Sequence, residues 1–182
     1  MNWLLRICNP QSGEINMYIF ILLLVFLGTP KQNELPTKDG GILKFYDTDC
    51  YGSDGTNCDI VVEKYKDSVL EWKTVIGGNS WDYAEDIIEI TDGYLVLGNT
   101  GSFGAGNNDV YLTKLDLDGK ELWAKTYGGF FNDYGRTISS AADSSEGYII
   151  RGETQVCRTE NVSNDCQMNE LFIRVDALGN RM

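Results

Sequence analysis

Trp72–Ile87 reads WKTVIGGNSWDYAEDI, and Trp123–Ile138 reads WAKTYGGFFNDYGRTI. Laid one above the other, Trp72 meets Trp123, Gly77-Gly78 meets Gly128-Gly129, Asp82-Tyr83 meets Asp133-Tyr134, and Ile87 meets Ile138. The likeness continues on both sides. Asp92–Thr100 (DGYLVLGNT) matches Glu146–Thr154 (EGYIIRGET), and Asp109–Gly119 (DVYLTKLDLDG) matches Asn169–Gly179 (NELFIRVDALG). A worn earlier copy precedes them, with GGILKFYDT at Gly40–Thr48 and DIVVEKYKDSVLEW at Asp59–Trp72. The chain is therefore an internal repeat with a period of roughly fifty residues.

Each unit holds short runs rich in Ile, Val, Leu, Tyr and Thr, such as YAEDIIEIT, YLVLGNT, DVYLTKLD and ELWAKTY. Such runs favour strands. Asp92-Gly93 and Asp118-Gly119 fall between consecutive runs and predict hairpin turns. No helical periodicity follows residue 30. Four antiparallel strands in a period near fifty predict an all-β fold, with each unit a blade of a β-propeller. A plain β-sandwich would share the short strands but not the self-similarity.

The first unit lacks a recognisable first strand, and the third lacks its Trp strand, so about two and a half blades are expected. Units are placed at 41–76, 77–127 and 128–182. An unclosed set leaves strand edges and an apolar face at each end, which predicts self-association. It also predicts that this segment belongs to something larger.

Met17–Leu27 (MYIFILLLVFL) is an uninterrupted apolar run. It is too short for a span of about 20 residues and suits a signal-peptide core of roughly 7 to 15. Residues 1–30 are read as a signal peptide or an uncleaved membrane anchor, with a buried segment as the remaining alternative, and 31–40 as a linker. Export to a secreted or cell-envelope location is expected. Cys8 would leave with the leader, and Cys50, Cys58, Cys157 and Cys166 would remain. An even count in an exported chain predicts bridges Cys50–Cys58 and Cys157–Cys166, although four buried thiols would also account for it. Each pair flanks the loop between the second and third strands of its unit, where the middle unit has the glycine-rich GSFGAGNN (Gly101–Asn108).

The 182 residues include 27 Asp or Glu against 15 Lys or Arg, a net charge of -12, and no histidine. That acidity disfavours nucleic acid and anionic lipid as partners. The missing histidine removes Ser-His-Asp and Cys-His catalysis and every imidazole zinc site.

The pattern W-x-K-T-x-G-G-x-x-x-D (as in Trp123–Asp133), then D-G-Y-x-V-x-G-x-T, then D-V-Y-L-x-K-L-D-x-x-G-x-x-x-W, resembles tandem repeats of large secreted bacterial β-propeller proteins. Leu115–Trp123 is similar to quinoprotein-like repeats. The resemblance covers about residues 40 to 182, and it implies a surface, binding or scaffold role. It carries no quinone ligands onto this chain, and no cofactor or metal is expected.

Recurring residues are assigned to maintenance of the units: Asp82 and Asp133 to tying down turns, Trp72 and Trp123 to packing between units, beside Gly77, Gly78, Gly128 and Gly129. Asp116-x-Asp118-Gly119 and Asp47-x-Asp49 with Asp54 resemble calcium clusters but miss the twelve-residue loop pattern, so solvated turns are expected. Asn161-Val162-Ser163 is a glycosylation sequon. Function is sought where copies diverge. Trp81, Phe130 and Phe131 follow the Gly-Gly pairs, and Arg151 stands where the middle unit has Leu97, two residues before Glu153. An Arg151–Glu153 ion pair would explain the last, with a binding contact as the alternative; the loop aromatics suit protein or glycan recognition, or equally packing between units. The expected function is a non-catalytic exported binding module. The alternative is part of a carbohydrate-active or quinone-dependent propeller enzyme whose active site lies in further blades.

Overall fold

The computed structural model describes residues 33–48, 57–141, 147–158 and 165–182, all within the unit Asn33–Met182. Every regular element there is a β-strand, and no α-helix occurs among the described residues. β1 (Glu34–Pro36), β2 (Ile42–Asp47), β3 (Ile60–Lys66) and β4 (Val69–Ile76) form the first sheet. β5 (Asp82–Ile90), β6 (Gly93–Thr100), β7 (Asp109–Leu115) and β8 (Glu121–Tyr127) form the second. β9 (Asp133–Ser140), β10 (Tyr148–Cys157) and β11 (Cys166–Val175) form the third. Each is an antiparallel meander, and no sheet closes on itself.

One strand departs from the sequence reading. Glu34–Pro36 lies in the stretch expected to be a linker, yet it pairs with β2 and supplies the first strand that the first unit was expected to lack. Three residues ending in proline carry too little periodicity to be read as a strand; pairing with β2 settles their conformation.

Strand alternation builds two cores. Leu43, Phe45, Ile60, Val62 and Ile76 pack against Ile87, Tyr94, Val96, Tyr111 and Leu115 between the first and second sheets. Leu95, Leu97, Val110, Leu112 and Tyr127 pack with Ile138, Ile150, Ile173 and Val175 between the second and third. Tyr94 and Val96 thus point one way from β6, and Leu95 and Leu97 the other. Both faces of the middle sheet are covered, so every residue of β6 is buried.

The junctions share their polar ties. Asp47 Oδ1 accepts Ala84 N–H at 2.6 Å, and Asn99 Oδ1, from the matching place one unit on, accepts Gly135 N–H at 2.7 Å. Register shifts fall at Glu85 in β5 and at Arg136 in β9, one repeat apart, and the two side chains meet in an ion pair of 3.0 Å.

The outer end faces expected to be apolar carry both polar and exposed apolar side chains. On the first sheet, the side opposite Phe45 and Val62 carries Glu63, only 9% exposed, which accepts bonds from Tyr46 Oη at 2.9 Å and Tyr65 Oη at 2.8 Å and pairs with Lys73 at 3.2 Å. Those donors, Tyr65 foremost, hold its carboxyl below the ordinary range. Where the middle sheet has Val96 and Thr113, this face has Lys44 and Glu63, beside exposed Ile42 and Val75. The third sheet's outer face is mixed: Arg151 lies over the Phe172 ring at 5.1 Å, beside exposed Met168.

Cys157 and Cys166 face each other across β10 and β11 and are joined by a disulfide. The bond closes a short loop and stabilises it by about 2 to 3 kcal/mol on the chain-entropy argument. Cys58 is buried and disulfide-bonded; its expected partner Cys50 lies outside the described residues.

Candidate binding surface

The connections β4–β5, β6–β7 and β8–β9 leave the sheets at one common end. Their aromatic residues are displayed there. Phe130 is 70% exposed and meets Phe131 edge-on at 5.2 Å; Trp81 is 36% exposed and lies edge-on to Tyr83. Phe103, 43% exposed on the ring of Tyr111, joins this set. The three loops touch. A side chain on Gly78 would strike Phe103, and one on Gly106 would strike the backbone at Gly129 and Phe131.

Buried carboxylates hold these loops in shape. Asp82 Oδ2 accepts Gly78 N–H at 2.9 Å and the Ser102 hydroxyl at 2.6 Å; Asp133 Oδ2 accepts Gly129 N–H at 2.8 Å. Asp109 accepts Ala105 and Gly106 N–H, which fastens the glycine-rich loop. Gly77 and Gly128 each lie between two such carboxylates, Asp59 with Asp82 and Asp109 with Asp133, where a Cβ would collide with both.

The first of these pairs is incompletely satisfied. Asp59 Oδ1 and Asp82 Oδ1 are buried without a hydrogen-bond partner. Burial first, and the Asp82 charge second, hold the Asp59 carboxyl above the ordinary carboxylate range. A carboxyl whose pKa rises on folding binds a proton on folding, so its contribution to stability is greatest at low pH and declines as pH climbs to the folded value. Asp59→Asn removes the charge and adds a donor within reach of Asp82. It should stabilise the fold by about 1 to 2 kcal/mol at pH 7 and flatten the pH profile in that window. Urea titrations from pH 4 to 7 check this; an Asn variant less stable than the parent at pH 7 would count against it.

A cleft of about 840 Å³ opens between the first two sheets at the opposite end. Its floor is Lys64, a side chain only 3% exposed, whose ammonium donates to Asp39 at 2.7 Å and Tyr94 Oη at 3.3 Å, with Glu71 at 3.7 Å. Burial disfavours the Lys64 charge, yet the bonds to Asp39 and Tyr94 outweigh it and raise its pKa. Lys64, ahead of Thr37 and Gly41, draws the Asp39 carboxyl far below the ordinary range. Trp72, Glu71 and Glu89 form walls of the cleft.

Trp72 and Trp123 occupy matching positions at the two junctions. Trp72 Nε1 donates to Leu117 O at 3.0 Å, and its ring lies on Gly119; Trp123 lies likewise on Gly179. Asp116, half of a calcium-like cluster, is occupied otherwise: its Oδ1 accepts the Asp118 and Lys120 N–H groups and shapes a turn. Asp47 is engaged with Ala84, whereas Asp49, Asp54 and the Asn161 sequon lie outside the described residues. Among the described residues no group of three or more metal-ligating side chains gathers.

Neither a protein-family model nor a curated protein matches the chain.

Of the residues selected from divergence, the structure brings Phe130 and Phe131 into direct contact and puts Trp81 at the same end of the molecule. Arg151 is elsewhere, mid-strand on the outer face of the third sheet. The expected Arg151–Glu153 ion pair is replaced: Glu153 binds Arg136 at 3.2 Å, and Arg151 stacks on Phe172. The bulge at Arg136 brings that side chain to Glu153 across the ladder, which same-strand spacing does not reveal. Phe103 and Lys64 were missed. Phe103 has no counterpart in a matched position. Lys64 does, since Lys114 recurs one unit later and pairs with Asp92 at 2.7 Å.

Among the described residues no helix is long and apolar enough to cross a membrane, and the Cys157–Cys166 bond is compatible with an extracellular setting.

Proposed function

We propose that this chain is a non-catalytic segment of an exported β-propeller, and that it binds a protein or glycan through the loops at one end of its sheets. The blade reading is supported by three meanders in sequence order, stacked face to face, with matching bulges, Asp turns and Trp-on-Gly contacts. Export is supported by the apolar run Met17–Leu27 and the disulfide.

The observation that carries the binding role is the set Trp81, Phe103, Phe130 and Phe131 on three loops at one end, held out by buried carboxylates. Rigid aromatic groups in water are the usual anchors of recognition, because they offer large contact area with few rotamers to freeze. Net charge of -12 directs the choice toward neutral glycans or basic protein surfaces.

Retention on immobilised cellulose, chitin, xylan and mannan, and on a basic protein surface such as lysozyme, provides the test. Trp81→Ala and Phe130→Ala should each weaken whatever retention is found about tenfold, without moving the unfolding midpoint. Retention indifferent to both changes would remove the loops from the role.

A further inference from the structure

Two backbone bonds recur at both junctions between sheets. At the first, Asp82 N–H donates to Cys58 O and Gly101 N–H to Trp81 O, each at 2.7 Å. At the second, Asp133 N–H donates to Asn108 O at 2.8 Å and Gln155 N–H to Asn132 O at 2.7 Å. The main-chain bonding is the same, but the side chains are not. Cys58, Trp81 and Gly101 give way to Asn108, Asn132 and Gln155, three carboxamides carried by the β6–β7 and β8–β9 connections and the end of β10.

The amides bond to one another in a row. Asn108 Nδ2 donates to Asn132 Oδ1 at 3.0 Å, and Asn132 Nδ2 donates to Gln155 Oε1 at 2.7 Å. A backbone group fixes the direction. Asn132 N–H also meets Gln155 Oε1, at 3.3 Å, and a backbone N–H can only donate, so the atom facing it is the oxygen. The order of the whole row follows from that one bond. Gln155 Nε2 and Asn108 Oδ1 are left without a partner among the described residues, and neither is sealed from water. One end of the row thus offers a donor and the other an acceptor.

Folding does not require the row, because the first junction makes the same main-chain bonds around a tryptophan and a glycine. Aromatic surface stands beside it: Phe130 and Phe131 are the two residues before Asn132, and Phe130 is 70% exposed. An outward donor, an outward acceptor and an exposed ring, all uncharged, suit a sugar. Hydroxyls exchange hydrogen bonds with carboxamides while a C–H face lies on the ring. A basic protein surface would call instead for open carboxylates. The two at this place, Asp109 and Asp133, are buried and bonded to backbone amides of the loops.

We propose that the loop end binds a neutral glycan at the second junction, with Gln155 and Asn108 reading its hydroxyls and Phe130 covering one sugar face. The inference rests on the recognition role proposed for the loops, and narrows it to one ligand class and one junction.

Gln155→Glu is the decisive variant. Its carboxylate still accepts from Asn132, so the row persists, but the outward donor is gone. Binding isotherms of the full chain, disulfide intact, are measured on insoluble cellulose, chitin, xylan and mannan and on immobilised lysozyme. At least one glycan should retain the parent chain, and Gln155→Glu should weaken that retention about tenfold with the unfolding midpoint unchanged. Gln155→Gly, which installs the residue of the first junction, should do the same and decides the matter if Gln155→Glu does not fold. Glycan retention that both Gln155 variants leave intact overturns the amide assignment; a loss with Phe130→Ala in the same assay keeps the loops in their role. Retention on lysozyme alone overturns the glycan and spares the loops. No retention on any of these surfaces removes both.

Discussion

Leu97→Arg should abolish the cooperative packing of the second and third sheets, at a cost above about 4 kcal/mol. Leu97 is fully buried in a cluster with the apolar side chains of Leu95, Val110, Leu112, Ile138, Ile150 and Ile173, where a guanidinium would lose its water. Gly135 approaches Leu97 so closely that even a Cβ there would lie 2.9 Å from it, so a longer side chain has little room to reach water. The same residue type is native one repeat later: Arg151 holds the corresponding position, exposed and stacked on Phe172. Arg151→Leu should therefore change stability by less than about 1 kcal/mol, while enlarging the apolar surface. Urea unfolding of both variants, with sedimentation of Arg151→Leu, measures the contrast. A Leu97→Arg protein with the parent's midpoint would mean that the second core is not formed as described.

Gly119→Val carries the next largest effect, about 2 to 4 kcal/mol. Two penalties combine there. A β-branched residue is strained at φ 78°, and its Cβ would enter the indole of Trp72. The ring cannot yield cheaply, because its Nε1 is bonded to Leu117 O and its face lies near Tyr94 at 5.8 Å. Gly40→Val is the control: φ is 86°, but nothing lies within 4 Å of the added Cβ. It should show the strain alone, about half the loss. Unfolding midpoints together with tryptophan emission separate the two, since only Gly119→Val should displace Trp72 and shift the emission. Equal losses in both variants would deny Trp72 its role in joining the sheets.

Much of this architecture was legible in the residues. β5 and β9 begin at Asp82 and Asp133, the two aspartates that the repeat aligns, because identical strand and turn chemistry folds identically wherever it recurs. The Cys157–Cys166 bond was likewise readable, since the two cysteines flank a loop between strands that pair. Of the loop aromatics, Trp81, Phe130 and Phe131 stood out by divergence between copies, whereas Phe103 entered only because a glycine-rich loop turned it onto Tyr111.

Local sequence was silent wherever the outcome depended on what covers a face. Alternation places Lys44, Leu97 and Arg151 on one side or other of a strand, but not against another sheet or water. Contacts between distant segments decide that: they leave Glu63 to gather Tyr46, Tyr65 and Lys73 on an outer face, and they seal Lys64 with Asp39 and Tyr94 beneath the Trp72 cleft. Period, strand type and turn chemistry are properties of neighbours along the chain and were determined there. Burial, and with it the raised pKa of Asp59 or the fate of an arginine, belongs to neighbours in space and was set only when the three sheets stacked.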